Sequence, residues 1–194
     1  MKETIRVDKR IMKTKNNLKS ALVELLKTQK LDDISIVELT NLAKVNRKTF
    51  YLHYNEISTV FKEIEDTAYE KLINFVCKNK PTSATLENYL YELLRIFIED
   101  KYVLTIVKET QYASVFIKML EKVLIDSVSK NYEQYTNSSI SHILQYTIAY
   151  HVFGSVKLFY TWLKTSQCLD LRAFCKFLSN IVIKGSKGNF EFLQ

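Results

Sequence analysis

Glycine and proline are nearly missing from this chain: 194 residues hold three glycines and one proline, Pro81, where average usage would place roughly 23 of the two together. Tight β-turns draw on Gly at positive φ and on Pro at its fixed φ, and a sandwich or barrel needs such turns every 8–12 residues or so. All-β architectures are therefore excluded. So is a phosphate-cradling glycine loop, because Gly154, Gly185 and Gly188 are the only glycines. Cysteine is scarce too: Cys77, Cys168 and Cys175 are too few and scattered for a disulfide framework, and no two stand at C-x-x-C spacing. Residues Met1 to Arg6 lack the apolar run of a secretion signal. A cytoplasmic location is expected, and Asn137-Ser138-Ser139 reads as a chance match to a glycosylation acceptor.

Enzyme signatures are also absent. Neither H-E-x-x-H nor G-x-S-x-G occurs, and His53, His142 and His151 have no base or nucleophile at a recognisable spacing. His142 and His151 are nine residues apart, about 13 Å along one helix, and Cys168 and Cys175 lie about 10 Å apart on the same reckoning. Neither pair can share a metal without a third element, so buried thiols and core histidines are the simpler reading. No catalytic residue, cofactor or metal is expected.

What is present is helical. Hydrophobic residues make up 47% of the chain, ordinary for a globular protein and too many for disorder, and the length allows one or two domains. Net charge is +7, unevenly spread. Residues 1–55 carry twelve Lys/Arg against six Asp/Glu; the remainder carries sixteen against fifteen. Seven of the twelve lie in the first nineteen residues: Lys2, Arg6, Lys9, Arg10, Lys13, Lys15 and Lys19. Two readings fit, a polyanion-binding module joined to a neutral domain or a solubilising basic tail.

Leu18, Leu22, Leu25 and Leu26 recur on one face of a helix from about Met12 to Thr28. Ser35-Ile36-Val37-Glu38 has the form of a capping box and opens a short helix to about Lys44 that buries Ile36, Leu39, Leu42 and Ala43. Asn46 can cap a second short helix, Arg47 to about Tyr54. Two short helices joined by a turn of about three residues, behind a longer one, outline a helix-turn-helix. Asn55 precedes a further helix with Ile57, Val60, Phe61, Ile64, Ala68, Leu72, Phe75 and Val76 on one face, ending before Asn79-Lys80-Pro81. Five more helices follow: about Thr85–Glu99, Tyr102–Thr110, Ser114–Tyr135, Ser139–Thr165 and Leu171–Lys184. Within them, 23 residues from Gln134 to Val156 lack any Lys, Arg, Asp or Glu. The many Ser, Thr, Asn, Gln and His there argue against a membrane span and for a helix buried in a bundle core or subunit interface.

The segment Asn46 to Tyr54 carries the functional signal. With Phe50 inward, Arg47, Lys48, Thr49, Tyr51 and His53 occupy the other faces. Cations at a helix N-terminus oppose the macrodipole, a small cost if that end meets phosphates or guanine edges; a solvated basic turn fits equally well. The order Ile34-Ser35-Ile36-x-Glu38-Leu39, then Ala43-x-Val45-Asn46-Arg47-Lys48-Thr49-Phe50-Tyr51-x-His53-Tyr54, resembles the N-terminal DNA-binding domain of TetR-type transcriptional regulators. The resemblance covers about residues 12 to 64. It implies an all-α protein with a DNA-binding domain over 1–57 and a larger helical domain over 58–194 for effector binding and dimerisation. It also implies that Arg47, Lys48 and Thr49 read base edges, that Tyr51 and His53 contact phosphates, and that Ser35 caps the first short helix and touches the DNA backbone; Phe50 and Tyr54 belong to the core. Two positions depart from the pattern. Lys44 stands where the family usually has a turn glycine, at a cost of about 1 kcal/mol if φ is positive. Ile57, beside Glu56, stands where a phosphate-touching lysine is usual.

Phe97, Tyr102, Phe116, His142, Tyr146 and Tyr150 are the candidates to line an effector pocket. Phe153, Val156, Tyr160, Phe174, Phe177 and Ile181 are the candidates for a homodimer interface, with Gly154 allowing close backbone approach. The expected partners are double-stranded DNA bearing a pseudo-palindromic operator, a second copy of the chain, and an unidentified small molecule; no membrane partner is expected. A repressor released by its effector is the leading reading. A protein-interaction module on the same fold, with weak or no DNA binding, is the alternative, and a small all-α enzyme stands third.

Overall fold

The computed structural model describes residues 2–136, 139–165 and 169–185, with side chains from Lys9 onward. Asn137, Ser138, Cys168 and Gly188, singled out above, lie outside the described residues. The fold is all-α: α1 (Lys2–Leu25), a 3-10 turn (Leu31–Asp33), α2 (Ile36–Ala43), α3 (Arg47–Tyr51), α4 (Ile57–Lys78), α5 (Leu86–Glu99), α6 (Lys101–Glu109), α7 (Ala113–Thr136), α8 (His142–Lys164) and α9 (Leu171–Gly185). The helix α1 starts ten residues before Met12, so the basic arm is helical rather than an extended leader.

The chain forms two compact units, Met1–Thr67 with Lys101–Ala113, and Ala68–Asp100 with Ser114–Gln194. This division falls inside α4, unlike the 1–57 and 58–194 cut expected above. The helix α6 joins the first unit for a packing reason. Its buried stripe Val103, Ile106 and Val107 needs an apolar partner, and α1 supplies one. The first unit's core is built on Leu18, Leu22, Leu26, Leu39, Phe50, Val60, Ile64 and Ile106; that of the second on Leu72, Leu93, Phe97, Phe116, Leu120, Phe159 and Leu163.

In α2 the cap forms by half of the expected box. Ser35 Oγ accepts the Glu38 N–H at 3.1 Å, but the Glu38 carboxylate accepts from Gln29 Nε2 at 2.6 Å, tying α2 to the end of α1. Leu42, expected in the core, is exposed, because the eight-residue helix is too short to bury more than one stripe. The turn that follows is closed by Lys44, whose φ of 53° and ψ of 42° are left-handed. Its N–H donates to Asn41 O at 3.1 Å and the next, Val45 N–H, to Thr40 O at 3.0 Å, a Schellman-type ending that normally takes glycine. Lys44 is the only non-glycine residue at positive φ among those described. Left-handed backbone costs an L-residue about 1–2 kcal/mol, and glycine returns about half of that through the unfolded chain. Lys44→Gly is therefore expected to stabilise the protein by about 0.5–1 kcal/mol, raising Tm by about 1–4 °C; a melting curve with unchanged or lowered Tm would contradict it.

Candidate nucleic-acid interface and ligand cavity

The helix α3 is one and a half turns long and stands only because both ends are held. Asn46 caps it, its side-chain oxygen accepting the Lys48 N–H at 2.8 Å. Beyond Tyr51 the chain continues as a hydrogen-bonded turn rather than as helix, with the His53 and Tyr54 N–H groups both donating to Phe50 O at 2.9 Å. Phe50 is fully buried and Tyr54 is 5% exposed, their rings 5.9 Å apart. With these two as anchors, the remaining side chains face out. Arg47, Lys48 and Ser35 are exposed, Thr49 and His53 half-buried, and Tyr51 is 47% exposed.

Arg47 and Tyr51 act on each other across one helical turn. Arg47 Nη2 donates to Tyr51 Oη at 3.3 Å, and the guanidinium lies 5.7 Å from the ring centroid. The pair pre-orients both groups on the outer face. Sequence reasoning passed over Leu52, which is 78% exposed beside them. A leucine reads as core in any helical pattern, and only the end of α3 at Tyr51 turns it out. Ile57 is 8% exposed in the first turn of α4, so no phosphate anchor stands there. Glu56 is exposed and accepts from Ser58 Oγ at 2.5 Å.

A half-buried charge cluster fixes the platform behind α3. Glu63 of α4 accepts from Lys15 at 3.0 Å and pairs with Lys19 at 2.9 Å, both on α1, while Lys15 Nζ also lies 5.3 Å from the Tyr54 ring centroid. Tyr54 Oη is buried without a hydrogen bond; burial, then the neighbouring Glu63, raise its pKa far above the ordinary phenol range. Burial pulls the Glu63 carboxyl up, but Lys19 and Lys15 outweigh it and hold the pKa below its usual value. A depressed carboxylate contributes stability that is complete above its unfolded pKa and is lost as pH falls through the folded value. Stability should therefore drop on acidification below about pH 4.5, and Glu63→Gln should flatten that limb. Urea midpoints between neutral and acidic pH read it; equal slopes in both proteins would rule the cluster out as a cause.

The second unit encloses a cavity of about 460 Å³. Its walls are helical stripes: Leu86, Tyr89 and Leu90 from α5; Leu124, Ser127, Val128, Asn131 and Tyr135 from α7; Ile148, His151, Val152 and Ser155 from α8; with Lys80, Pro81 and Thr82 at one end. None of the six effector candidates lines it. Phe97 and Phe116 are buried core, Tyr102 belongs to the first unit with its hydroxyl donating to Asn16 O at 3.2 Å, and His142, Tyr146 and Tyr150 are exposed. The reason is helical phase: on α8, Tyr150 lies 100° round from His151, and with no charge on either side the sequence did not say which faced in.

The exposed side of α8 is apolar, carrying Ile143, Tyr146, Tyr150 and Phe153, and α9 adds Phe177 and Ile181. Gly154 has open space where a side chain would be. Of the interface candidates, Phe153, Phe177 and Ile181 are exposed and Tyr160 is half-buried between Lys157 and Lys164. Val156 and Phe174 are not on this face: they are buried in the protomer core, where Phe174 packs on Phe159 and Trp162. The helix α8 is thus buried on one side only. No helix among the described residues is long and apolar enough to cross a membrane, and no group of three or more metal-ligating side chains occurs among them.

No family model matches the chain, and no curated protein resembles it in sequence. Solved structures do resemble it in fold. A TetR transcriptional regulator from Streptococcus agalactiae is 21% identical, covers 92% of this chain and 98% of its own, with a TM-score of 0.59. A TetR-like regulator from Rhodococcus sp. RHA1 is 12% identical, with coverages of 91% and 97% and a TM-score of 0.65. NalD of Pseudomonas aeruginosa, the secondary repressor of the MexAB-OprM multidrug efflux pump, is 14% identical, with 90% and 95% coverage and a TM-score of 0.58.

Proposed function

We propose that this chain, which has the fold of the TetR-type transcriptional regulators, is a cytoplasmic, sequence-specific DNA-binding regulator of transcription. More narrowly, it is a homodimeric repressor that leaves its operator when a small molecule occupies the cavity of the second unit. The observation that carries the reading is the outward row Arg47, Lys48, Thr49, Tyr51 on a helix clamped from behind by Phe50 and Tyr54. Cations here give up macrodipole stabilisation, and DNA returns it: Arg47, Lys48 and Thr49 reach base edges, while Tyr51, His53 and Ser35 position the phosphates. The helical basic segment before Leu18 adds sequence-independent attraction.

A two-fold pair of such helices needs a dimer, and the exposed apolar face of α8 and α9 is the surface that a second copy would cover. Occupation of the cavity changes DNA affinity by a coupling of about 1–3 kcal/mol. A second reading, a protein-interaction module with weak DNA affinity, is favoured by buried Ile57 and exposed Glu56. Selection of random duplex DNA on the purified protein separates the two. A recovered pseudo-palindrome, bound with a steep salt dependence, supports the regulator; no enriched sequence, with affinity flat in salt, supports the interaction module.

A further inference from the structure

The cavity's lining is asymmetric in charge. Among the described residues that line it, one is cationic, Lys80, and none is acidic. Burial favours the neutral form of both interior titrating groups: it lowers the His151 pKa against the hydrogen bond that the ring donates to the Gly185 backbone, and it pushes the Tyr89 phenol up to about 12 although Ser127 pulls it down. Between them the walls are aliphatic, with Leu86, Leu90, Leu124, Val128, Ile148 and Val152.

The polar and apolar parts are also separated along the helices. On α7 the lining runs from Leu124 to Tyr135, about 16 Å of helix. At the Tyr135 end stands Lys80, whose Nζ donates to Gln134 Oε1 at 2.9 Å. An ammonium has three donors, so two remain for a ligand. The Leu124 end of that stripe has no charged neighbour among the described lining residues.

We propose that this cavity takes a slender amphiphile with one carboxylate, its apolar body between α5, α7 and α8 and its carboxylate on Lys80. A carboxylate drawn into an apolar cavity is strongly disfavoured unless paired, and Lys80 pairs it at the solvent-facing end. A cationic amphiphile of the same length meets Lys80 with no acidic partner and is excluded. A neutral one loses only the charge-assisted hydrogen bond. The inference deepens the effector reading and rests on it for its regulatory meaning, though not for binding.

The test is calorimetric titration of the full chain with decanoate, 1-decanol and decylamine. Decanoate is expected to bind about tenfold tighter than decanol, and decylamine not measurably. Lys80→Met should bring decanoate down to the level of decanol and leave decanol unchanged, while Lys80→Arg should restore the preference. Equal binding of decanoate and decanol by the unaltered protein, a preference that survives Lys80→Met, or no binding of any of the three would each overturn the proposal. Adding decanoate to the protein–operator complex keeps the two readings apart. Lys80-dependent binding without DNA release leaves this inference standing and removes the effector role; DNA recognition without decanoate binding does the reverse.

Discussion

Phe50→Ala is expected to be the most damaging single change in the first unit, costing about 3–5 kcal/mol. Phe50 is fully buried, and its ring meets Tyr51 edge-on at 5.5 Å and Tyr54 at 5.9 Å. A helix of five residues has no stability of its own. The aromatic anchor therefore supplies nearly all that holds α3 in place, and its removal leaves a cavity that so short a helix cannot fill by shifting. Since whole domains are stable by about 5–15 kcal/mol, the loss is a large share of the total. Phe50→Leu, nearer in volume, should cost under about 1.5 kcal/mol. Urea unfolding followed by circular dichroism gives both numbers; an alanine variant within about 0.5 kcal/mol of the parent would show that α3 is held by something else.

The second large effect concerns recognition. Arg47→Ala should weaken binding to a selected operator by about 1–3 kcal/mol per half-site, roughly tenfold to a hundredfold, and relax discrimination at one base pair. Tyr51→Phe should weaken binding to all sequences through the lost phosphate contact, with a smaller loss of discrimination at the base pair assigned to Arg47, which donates to its hydroxyl. The two groups share the 3.3 Å hydrogen bond, so their effects should not add. Without the Tyr51 hydroxyl, Arg47 loses its orientation, and the double variant should lose less than the two single variants summed. Gel-shift titrations against the operator and its single-base variants read all three proteins. Full discrimination retained by Arg47→Ala would remove Arg47 from base readout.

Much of this was legible in one dimension. The helices from α5 to α9 begin and end within about three residues of where apolar spacing and capping residues put them, because each carries a stripe at i, i+3, i+4 and i+7 with a break at either side. Ser35 and Asn46 cap where their side chains predict. The left-handed Lys44 was legible only through the resemblance, which puts a turn glycine at that position; helical spacing says nothing of φ. The start of α1 was not. Residues 2–11 hold few apolar side chains, so no stripe announced a helix that simply extends from its packed C-terminal half.

The sorting of faces was the harder matter. On α8 the stripes Ile143, Tyr146, Tyr150 and Leu144, Ile148, Val152 are both apolar, and polar-out, apolar-in logic had no charge to work with. The effector candidates were chosen for aromatic bulk, and the cavity is instead walled by aliphatic side chains with Tyr89, Ser127 and His151 among them. From sequence, His151 reads only as a core histidine. Gly185 explains its placement: a Cβ there would come within 2.8 Å of the imidazole.

By itself, then, the sequence determined the helical class, the element order, the caps of α2 and α3 and the segment Asn46 to Tyr54 that carries the proposed recognition residues. Each of these depends on residues within one or two helical turns of one another, where spacing and local hydrogen bonding decide the outcome. The tertiary structure alone decided that α6 belongs with α1, that Leu42 is exposed, and that Tyr150 faces out while His151 faces in. Those outcomes depend on which surface a distant helix offers, and burial of an apolar face is non-directional: it requires a partner without naming it.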